Sequence, residues 1–396
     1  MFETLQRPPE DPILSLGGLV QSDPRPQKLN LGIGIYVDDS GASPVMAAVR
    51  RAEQRVLDGQ VSKAYLPARG NAAFLGRLGN RIFSPDLWSR RLGSIGSMQT
   101  VGCVAALRLG ADILSMMGVR RVWMSEPTWP IHAPIFQAAG LEPVGYRYYE
   151  VGVAGVRWQE MIASLDNVKA GDAVLLHGCC HNPTGEDLSP DQWRELAALL
   201  KRKQALAFVD IAYAGLGRGW DDDLAGIRAL IEIVDEAVVA VSCSKSFGLY
   251  RERAGALFFA GRDDEEVSTV VANGLTAART SYSMPPDHGA AAVAEVLGSP
   301  ELEAAWLAEL DGMRTRIVRL RGVLADAARA AGLDWEYLRG QQGMFSLLPL
   351  DTAKVIRLRE DNAIYMPLNG RICIPGLSDW GCKHLAQSCA KLLSPA

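Results

Sequence analysis

The 396-residue chain has no long apolar run, no large excess of one charge and no paired-cysteine motif. Its apolar stretches fall far short of a bilayer span, so no transmembrane helix is expected. The opening "MFETLQRPPEDP" carries acidic residues and prolines and lacks an apolar core, unlike a secretory signal. Formal net charge is -4, with 41 Lys and Arg mixed among 45 Asp and Glu. A basic face for nucleic acid is therefore not expected. The seven cysteines are Cys103, Cys179, Cys180, Cys243, Cys373, Cys382 and Cys389. Their number is odd and none form a C-x-x-C, so a cytoplasmic protein with free thiols is expected rather than a disulfide framework. In "HGCCHNPTG" two histidines bracket two cysteines. Adjacent residues of an extended stretch face opposite ways, and no second ligand pair follows at finger spacing, so no metal site is expected. Internal repeats and low-complexity segments are also lacking.

What is present is an ordinary globular balance, 48% apolar and 22% charged, in a chain long enough for two or three folding units. The middle alternates short β-rich runs with helical patterns. "RVWMSEP" (121–127), "EPVGYRYYE" (142–150), "DAVLLHG" (172–178), "ALAFVDIAY" (205–213), "EAVVAVS" (236–242) and "AGALFFAG" (254–261) read as strands, mostly continuous apolar runs of the kind covered on both faces. "SPDQWRELAALLKRK" (189–203) reads as a helix capped by Ser189 with Pro190 at its first position. "QTVGCVAALR" (99–108) reads as the opening of another helix, and a long amphipathic one runs from Ser299-Pro300 to near Gly332. Strand–helix alternation predicts an α/β fold with a largely parallel sheet. The two chain ends lack this rhythm and are expected to form a second, smaller domain, with ligand bound between the two.

In open parallel sheets, ligands collect at the carboxyl ends of strands. Three polar clusters fall there: "HNPTG" with Asn182, Asp210-Ile-Ala-Tyr213, and "SCSKSFGLYRER" with Ser242, Ser244, Lys245 and Arg253. Each residue has a bland reading as a turn, core or solvated loop group. Each also has a chemical one. A buried lysine of lowered pKa condenses with an aldehyde. A pyridoxal ring needs an acidic partner such as Asp210 at its nitrogen. Asn182 and Tyr213 suit a phenolate oxygen, while serine hydroxyls and an arginine suit a phosphate ester.

These motifs, in this order, resemble the class I aminotransferases of fold type I, the aspartate/aromatic subfamily. "DPILSL", "LNLGIGIY", "YLPARG", "PTWPIH", "SYSMPP", "QQGMFS" and "NGRICIPG" extend the similarity essentially end to end. The resemblance implies a seven-stranded, mostly parallel sheet and pyridoxal 5'-phosphate as cofactor, bound through Lys245, which also shuttles the proton. It implies Asp210 at the pyridine nitrogen, Asn182 and Tyr213 at the phenolate oxygen, and Trp129 stacked on the ring. Ser242, Ser244 and Arg253 would bind phosphate, as would the helix start at Gly102, Cys103 and Val104. Tyr65 would reach the phosphate of a neighbouring subunit, which makes the protein a homodimer with shared sites. Arg371, helped by the backbone at Gly34, would clamp the substrate α-carboxylate, and Arg279 would come from the partner to meet a distal carboxylate. His132 and His177 would stand behind Asp210, as core or as tuning groups. The implied division is an arm over 1–12 touching the partner, a small domain of 13–44 and 313–396, and a large domain of 45–312.

The sequence departs from the pattern where the family usually has Ser or Gly, then Gly, then Thr or Ser. Here Gly102, Cys103 and Val104 follow, which loses one hydroxyl and adds one side chain. Val37, Ala64 and Met284 are apolar where aspartate aminotransferases typically carry lysine or asparagine. Removing such polar groups lowers the cost of burying an aromatic side chain. The expected reaction is transfer of the amino group of an aromatic amino acid to 2-oxoglutarate in a ping-pong cycle. An aspartate aminotransferase, an aminotransferase for a modified amino acid, a fold type I lyase or decarboxylase, and last a non-catalytic cofactor-binding partner protein are the other readings.

Overall fold

A computed structural model describes residues 2–6 and 14–393. The expected arm over 1–12 thus lies largely outside the described residues. Eleven strands are assigned among them: β1 (Leu29–Asn30), β2 (Ile95–Val101), β3 (Arg121–Glu126), β4 (Glu142–Arg147), β5 (Ala173–His177), β6 (Leu206–Ile211), β7 (Ala237–Ser242), β8 (Ala254–Ala260), β9 (Phe345–Leu347), β10 (Ile364–Tyr365) and β11 (Arg371–Cys373). Seven form one sheet in the order β2-β8-β7-β6-β5-β3-β4. The pairs from β4 through β7 are parallel, and β8 runs antiparallel to both β7 and β2. The α/β fold with a mostly parallel seven-stranded sheet is as expected.

All six strands read as apolar runs are present. The seventh, β2, takes residues 99–101 that were expected to open a helix; that helix begins only at Gly102 (Gly102–Met116). The reason is chemical. Ser97 and Gln99 of β2 are buried polar residues, and Gln99 receives Asn71 N–H at 2.8 Å and donates to Pro286 O at 2.7 Å. A strand whose buried face is polar and internally satisfied shows no apolar run.

Side-chain alternation sorts the sheet residues onto two cores. Ala207, Val209 and Ile211 of β6, with Val239 and Val241 of β7, join the larger core, while Phe208, Val238 and Ala240 join the core under helix Gly102–Met116. Asp210 shares the parity of Phe208, so its carboxylate falls on the side of that helix. On the other face, helix Pro190–Lys203 starts with a capping box between Ser189 and Gln192, a feature worth about 1 kcal/mol.

The chain ends meet. β1 pairs in parallel with β10, and β9 pairs antiparallel with β11, near the long helix Pro300–Ala330. That helix also braces the lysine loop: Trp306 Nε1 donates to Ser246 O at 2.8 Å, and the Trp306 ring stacks on Phe247 with centroids 4.4 Å apart.

Candidate active site

The carboxyl ends of β5, β6 and β7 and the start of helix Gly102–Met116 enclose one crevice. It lies where β3 and β5, neighbours in the sheet, send the chain to opposite sides, the place an open α/β sheet offers a ligand. Its wall includes Lys245, Asp210, Tyr213, Asn182, Trp129, Ser242, Ser244, Arg253, Cys103, Val104 and His177, eleven of the residues singled out by sequence. Leu107 and Ala212 complete it.

Register explains the convergence. His177 at the end of β5 pairs with Asp210 on β6, and Ser242 at the end of β7 pairs with Gly255 on β8. The turn between β7 and β8 carries Lys245. Burial, with Arg253 and Arg371 nearby, pushes the Lys245 amine below its ordinary value, while Asp210 pulls it back up. An amine so placed is more often a free base, and so a better nucleophile, than a surface lysine.

Burial works against the Asp210 charge, but the hydrogen bond from His132 and the neighbouring donors hold its carboxyl below the usual range. His132 Nε2 lies 3.1 Å from Asp210 Oδ2. His132 Nδ1 lies 2.8 Å from Thr128 Oγ1, which lies 3.0 Å from His177 Nε2. With Asp210 ionised, one assignment satisfies the whole row. His177 N–H donates to the Thr128 oxygen, Thr128 O–H donates to His132 Nδ1, and His132 Nε2–H donates to the carboxylate. Burial and the nearby His132 push His177 down to about 3, which keeps it neutral. Thr128 was not singled out by sequence, although it sits inside "PTWPIH".

At the opposite end, Arg253 has a positive φ of 54°. Its Nη1 donates to Ser244 Oγ at 3.3 Å and to Tyr250 O at 3.1 Å. Gly102 has φ 70°, and a Cβ there would lie against the Arg253 guanidinium, so glycine lets the arginine approach the helix start. The residue before that helix provides no side-chain cap. Free backbone amides, a guanidinium and two serine hydroxyls thus gather where an anion is best held.

Arg371 on β11 is buried. It donates to Gly32 O at 2.6 Å and to Asn182 Oδ1 at 3.3 Å, and its guanidinium carbon sits 4.5 Å from the centre of the Phe345 ring. Its Nε is buried with no hydrogen-bond partner among the described residues. A buried guanidinium with a donor left over, and no ion pair to a carboxylate among the described residues, is arranged for an anionic ligand. Gly34 lies against the same ring: a Cβ there would stand 2.9 Å from Phe345 Cζ. Phe345 was quoted only within a motif, yet it packs against Arg371, Gly34 and, at 5.7 Å between centroids, Tyr213. Asn182 Nδ2 reaches Tyr213 Oη at 3.4 Å, and burial pushes the Tyr213 phenol up, so it is a donor and not a phenolate.

Tyr65 and Arg279 are not brought into this crevice. Tyr65 is 92% exposed, and Arg279 is exposed with a hydrogen bond to Ser283 Oγ at 3.4 Å. Val37 and Met284 are half-buried and also lie off its wall. Cys179 and Cys180 do not face opposite ways as an extended stretch would make them. Cys180 has φ 51°, and both sulfurs gather with Asp223, the three ligand-type atoms lying within 4.8 Å of one another. The Asp223 carboxylate already accepts the N–H groups of Gly215, Gly217 and Arg218 at 2.7–2.9 Å.

Residues 26–388 match the family model of aminotransferase class I and II. The chain is 47% identical over 377 residues to a tyrosine aminotransferase of Rhizobium meliloti (strain 1021), covering 95% of this chain and 96% of that protein. It is 40% identical over 386 residues to an aspartate aminotransferase of Escherichia coli (strain K12), covering 96% of each. Among solved structures, an aromatic-amino-acid aminotransferase from Burkholderia pseudomallei, covalently bound to pyridoxal phosphate, superposes with a TM-score of 0.95 at 38% identity over 100% of both chains. The chain belongs to the class I and II aminotransferases. No described helix is long and apolar enough to cross a membrane.

Proposed function

We propose that the protein transfers the amino group of an aromatic L-amino acid (tyrosine, phenylalanine or tryptophan) to 2-oxoglutarate, using pyridoxal 5'-phosphate in a ping-pong cycle. The observation that carries this reading is the convergence of Lys245, Asp210 and Arg253 on one crevice, with the unpartnered Nε of Arg371 beside it. The donor set fits the cofactor: an amine for its aldehyde, a carboxylate for its ring nitrogen, and hydroxyls, amides and a guanidinium for its phosphate. When bound, the cofactor supplies a ring that withdraws the negative charge developing at the substrate Cα.

The chain's own residues do the rest. Asp210, kept ionised by His132, holds a proton at the ring nitrogen. Asn182 and Tyr213 donate to the phenolate oxygen, and Trp129 covers the ring. Ser242, Ser244, Arg253 and the amides at Gly102, Cys103 and Val104 hold phosphate. Lys245, freed by the incoming amine, would take the Cα proton and return it at the carbon that brought the cofactor's aldehyde. Arg371 clamps the α-carboxylate with the backbone at Gly34, which fixes the Cα–H bond toward Lys245.

Tyr65 and Arg279 are exposed and lie off the wall of their own chain's crevice, which supports a homodimer in which each subunit completes the site of the other. There Arg279 meets the distal carboxylate of 2-oxoglutarate. The apolar Val37 and Met284 then favour the aromatic ring. We divide the chain into an arm of 1–12, a small domain of 13–44 and 313–396, and a large domain of 45–312. The pairing of β1 with β10 supports this division. Unpaired thiols at all seven cysteines support a cytoplasmic setting.

Arg279 also favours a second reading, an aspartate aminotransferase, to which a relative of similar identity adds weight. Half-reactions with tyrosine, phenylalanine, tryptophan, aspartate and glutamate, followed by cofactor absorbance, separate the two. Aromatic substrates are expected to convert the cofactor at least as fast as aspartate. An aspartate rate about tenfold above every aromatic, ~1.4 kcal/mol in barrier, overturns the aromatic assignment.

A further inference from the structure

The Asp210 carboxylate has two oxygens, and each meets a donor from this chain. His132 Nε2 lies 3.1 Å from Oδ2, and Cys103 Sγ lies 3.1 Å from Oδ1. The second contact joins residues 107 positions apart. It exists because Cys103 adds a side chain at the second residue of helix Gly102–Met116, directly after the left-handed turn at Gly102. Burial and the charge of Asp210 push the Cys103 thiol well above its ordinary value. The sulfur therefore keeps its proton, which makes it a donor and a poor nucleophile. The other six cysteines are buried away from this wall; Cys103 alone of the seven lines the crevice.

We propose that Cys103 is a positioning residue that acts through Asp210: its S–H donates to Oδ1, stops the carboxylate from rotating and lowers its basicity. A carboxylate held at one oxygen only can turn about its Cβ–Cγ bond and exposes a more basic lone pair. Held at both, it presents a fixed, moderated negative charge to whatever faces it across the crevice. That the facing group is a cofactor ring nitrogen rests on the reading above; the hydrogen bond itself does not. The direction follows from charge: loss of the thiol leaves Asp210 more basic, so protonated forms of neighbouring groups, Lys245 included, persist to higher pH.

Two measurements on the full-length protein test this. In cofactor-free protein, the S–H stretching band of Cys103 is isolated by subtracting the infrared spectrum of Cys103→Ala. The band is expected at lower frequency than that of the buried thiols, and Asp210→Asn is expected to return it toward them. A band that Asp210→Asn does not move overturns the inference, whatever the cofactor. In protein loaded with pyridoxal 5'-phosphate, the pH midpoint of the cofactor absorbance change is expected to rise by about 0.3–1 unit in Cys103→Ala. Cys103→Ser, whose shorter donor reaches less well, is expected to recover part of that shift. An unchanged midpoint in Cys103→Ala overturns the positioning role even where the hydrogen bond is present. If no cofactor band forms in the unaltered protein, the proposed function fails, and the infrared result still decides the hydrogen bond.

Discussion

The floor of the crevice and two exposed residues outside it, Tyr65 and Arg279, are held on different terms. On the floor, Asp210, His132, Asn182 and Arg371 are buried, and each is held by hydrogen bonds from other elements of the same chain. Outside it, Tyr65 stands 92% exposed, and Arg279 is exposed with a hydrogen bond of 3.4 Å to Ser283 Oγ. The buried groups are oriented within the chain, and the exposed pair is held far more loosely. Pre-organised groups keep one fixed geometry, whereas loosely held side chains can take up more than one.

Substitutions sharpen or break this contrast. The largest effect is expected at Lys245. Lys245→Ala should lower turnover of tyrosine by at least about a thousandfold and remove the lysine-linked absorbance of the loaded enzyme. Activity within tenfold of the unaltered protein would show that the floor is not where the proton moves.

Next come the two arginines. Arg371→Ala removes a buried guanidinium and should lower kcat/KM for aromatic and dicarboxylic substrates alike, by about 2–5 kcal/mol or roughly 30–5000-fold. Arg279→Ala should lower kcat/KM for glutamate and 2-oxoglutarate by about 10–100-fold while leaving aromatic amino acids within about threefold. Equal losses on both substrate classes at Arg279 would erase the distinction between the buried floor and the exposed pair.

The smallest effect concerns stability in acid. His177 stays neutral in the fold down to about pH 3, while an unfolded histidine takes a proton near 6.5. Below about 6.5 the unfolded chain therefore binds a proton that the folded chain does not. Stability is full above that pH and falls as pH drops toward 3, by up to about 1.4 kcal/mol per pH unit. His181, lowered in the same direction by burial, adds a similar slope. Urea unfolding midpoints between pH 7 and 5 should fall less steeply in His177→Gln, which keeps a donor for Thr128. Identical slopes in the two proteins would mean that His177 is already charged in the fold.

Much of the floor was legible in the chain because its residues follow apolar strands. Val239 and Val241 announce β7, and the polar residues directly after such a run fall at a sheet's carboxyl edge. β2 escaped for the opposite reason: Ser97 and Gln99 face the interior and satisfy their polarity there, so the strand lacks the apolar signature. Thr128 and Phe345 escaped as well, since neither type is conspicuous until the groups it joins are seen side by side.

By itself, then, the sequence determined which groups stand at the strand ends and to which family they belong, because apolar periodicity and short motifs are local properties. Only the tertiary structure decided how those groups meet. Strand parity turns Asp210 toward helix Gly102–Met116, the turn at Gly102 presents Cys103 to it, and the pairing of chain ends is accompanied by Arg371 lying against Asn182. Hydrogen bonds act over about 3 Å of space and take no account of separation along the chain, which is why a thiol 107 residues away can govern a carboxylate that the motifs alone had already found.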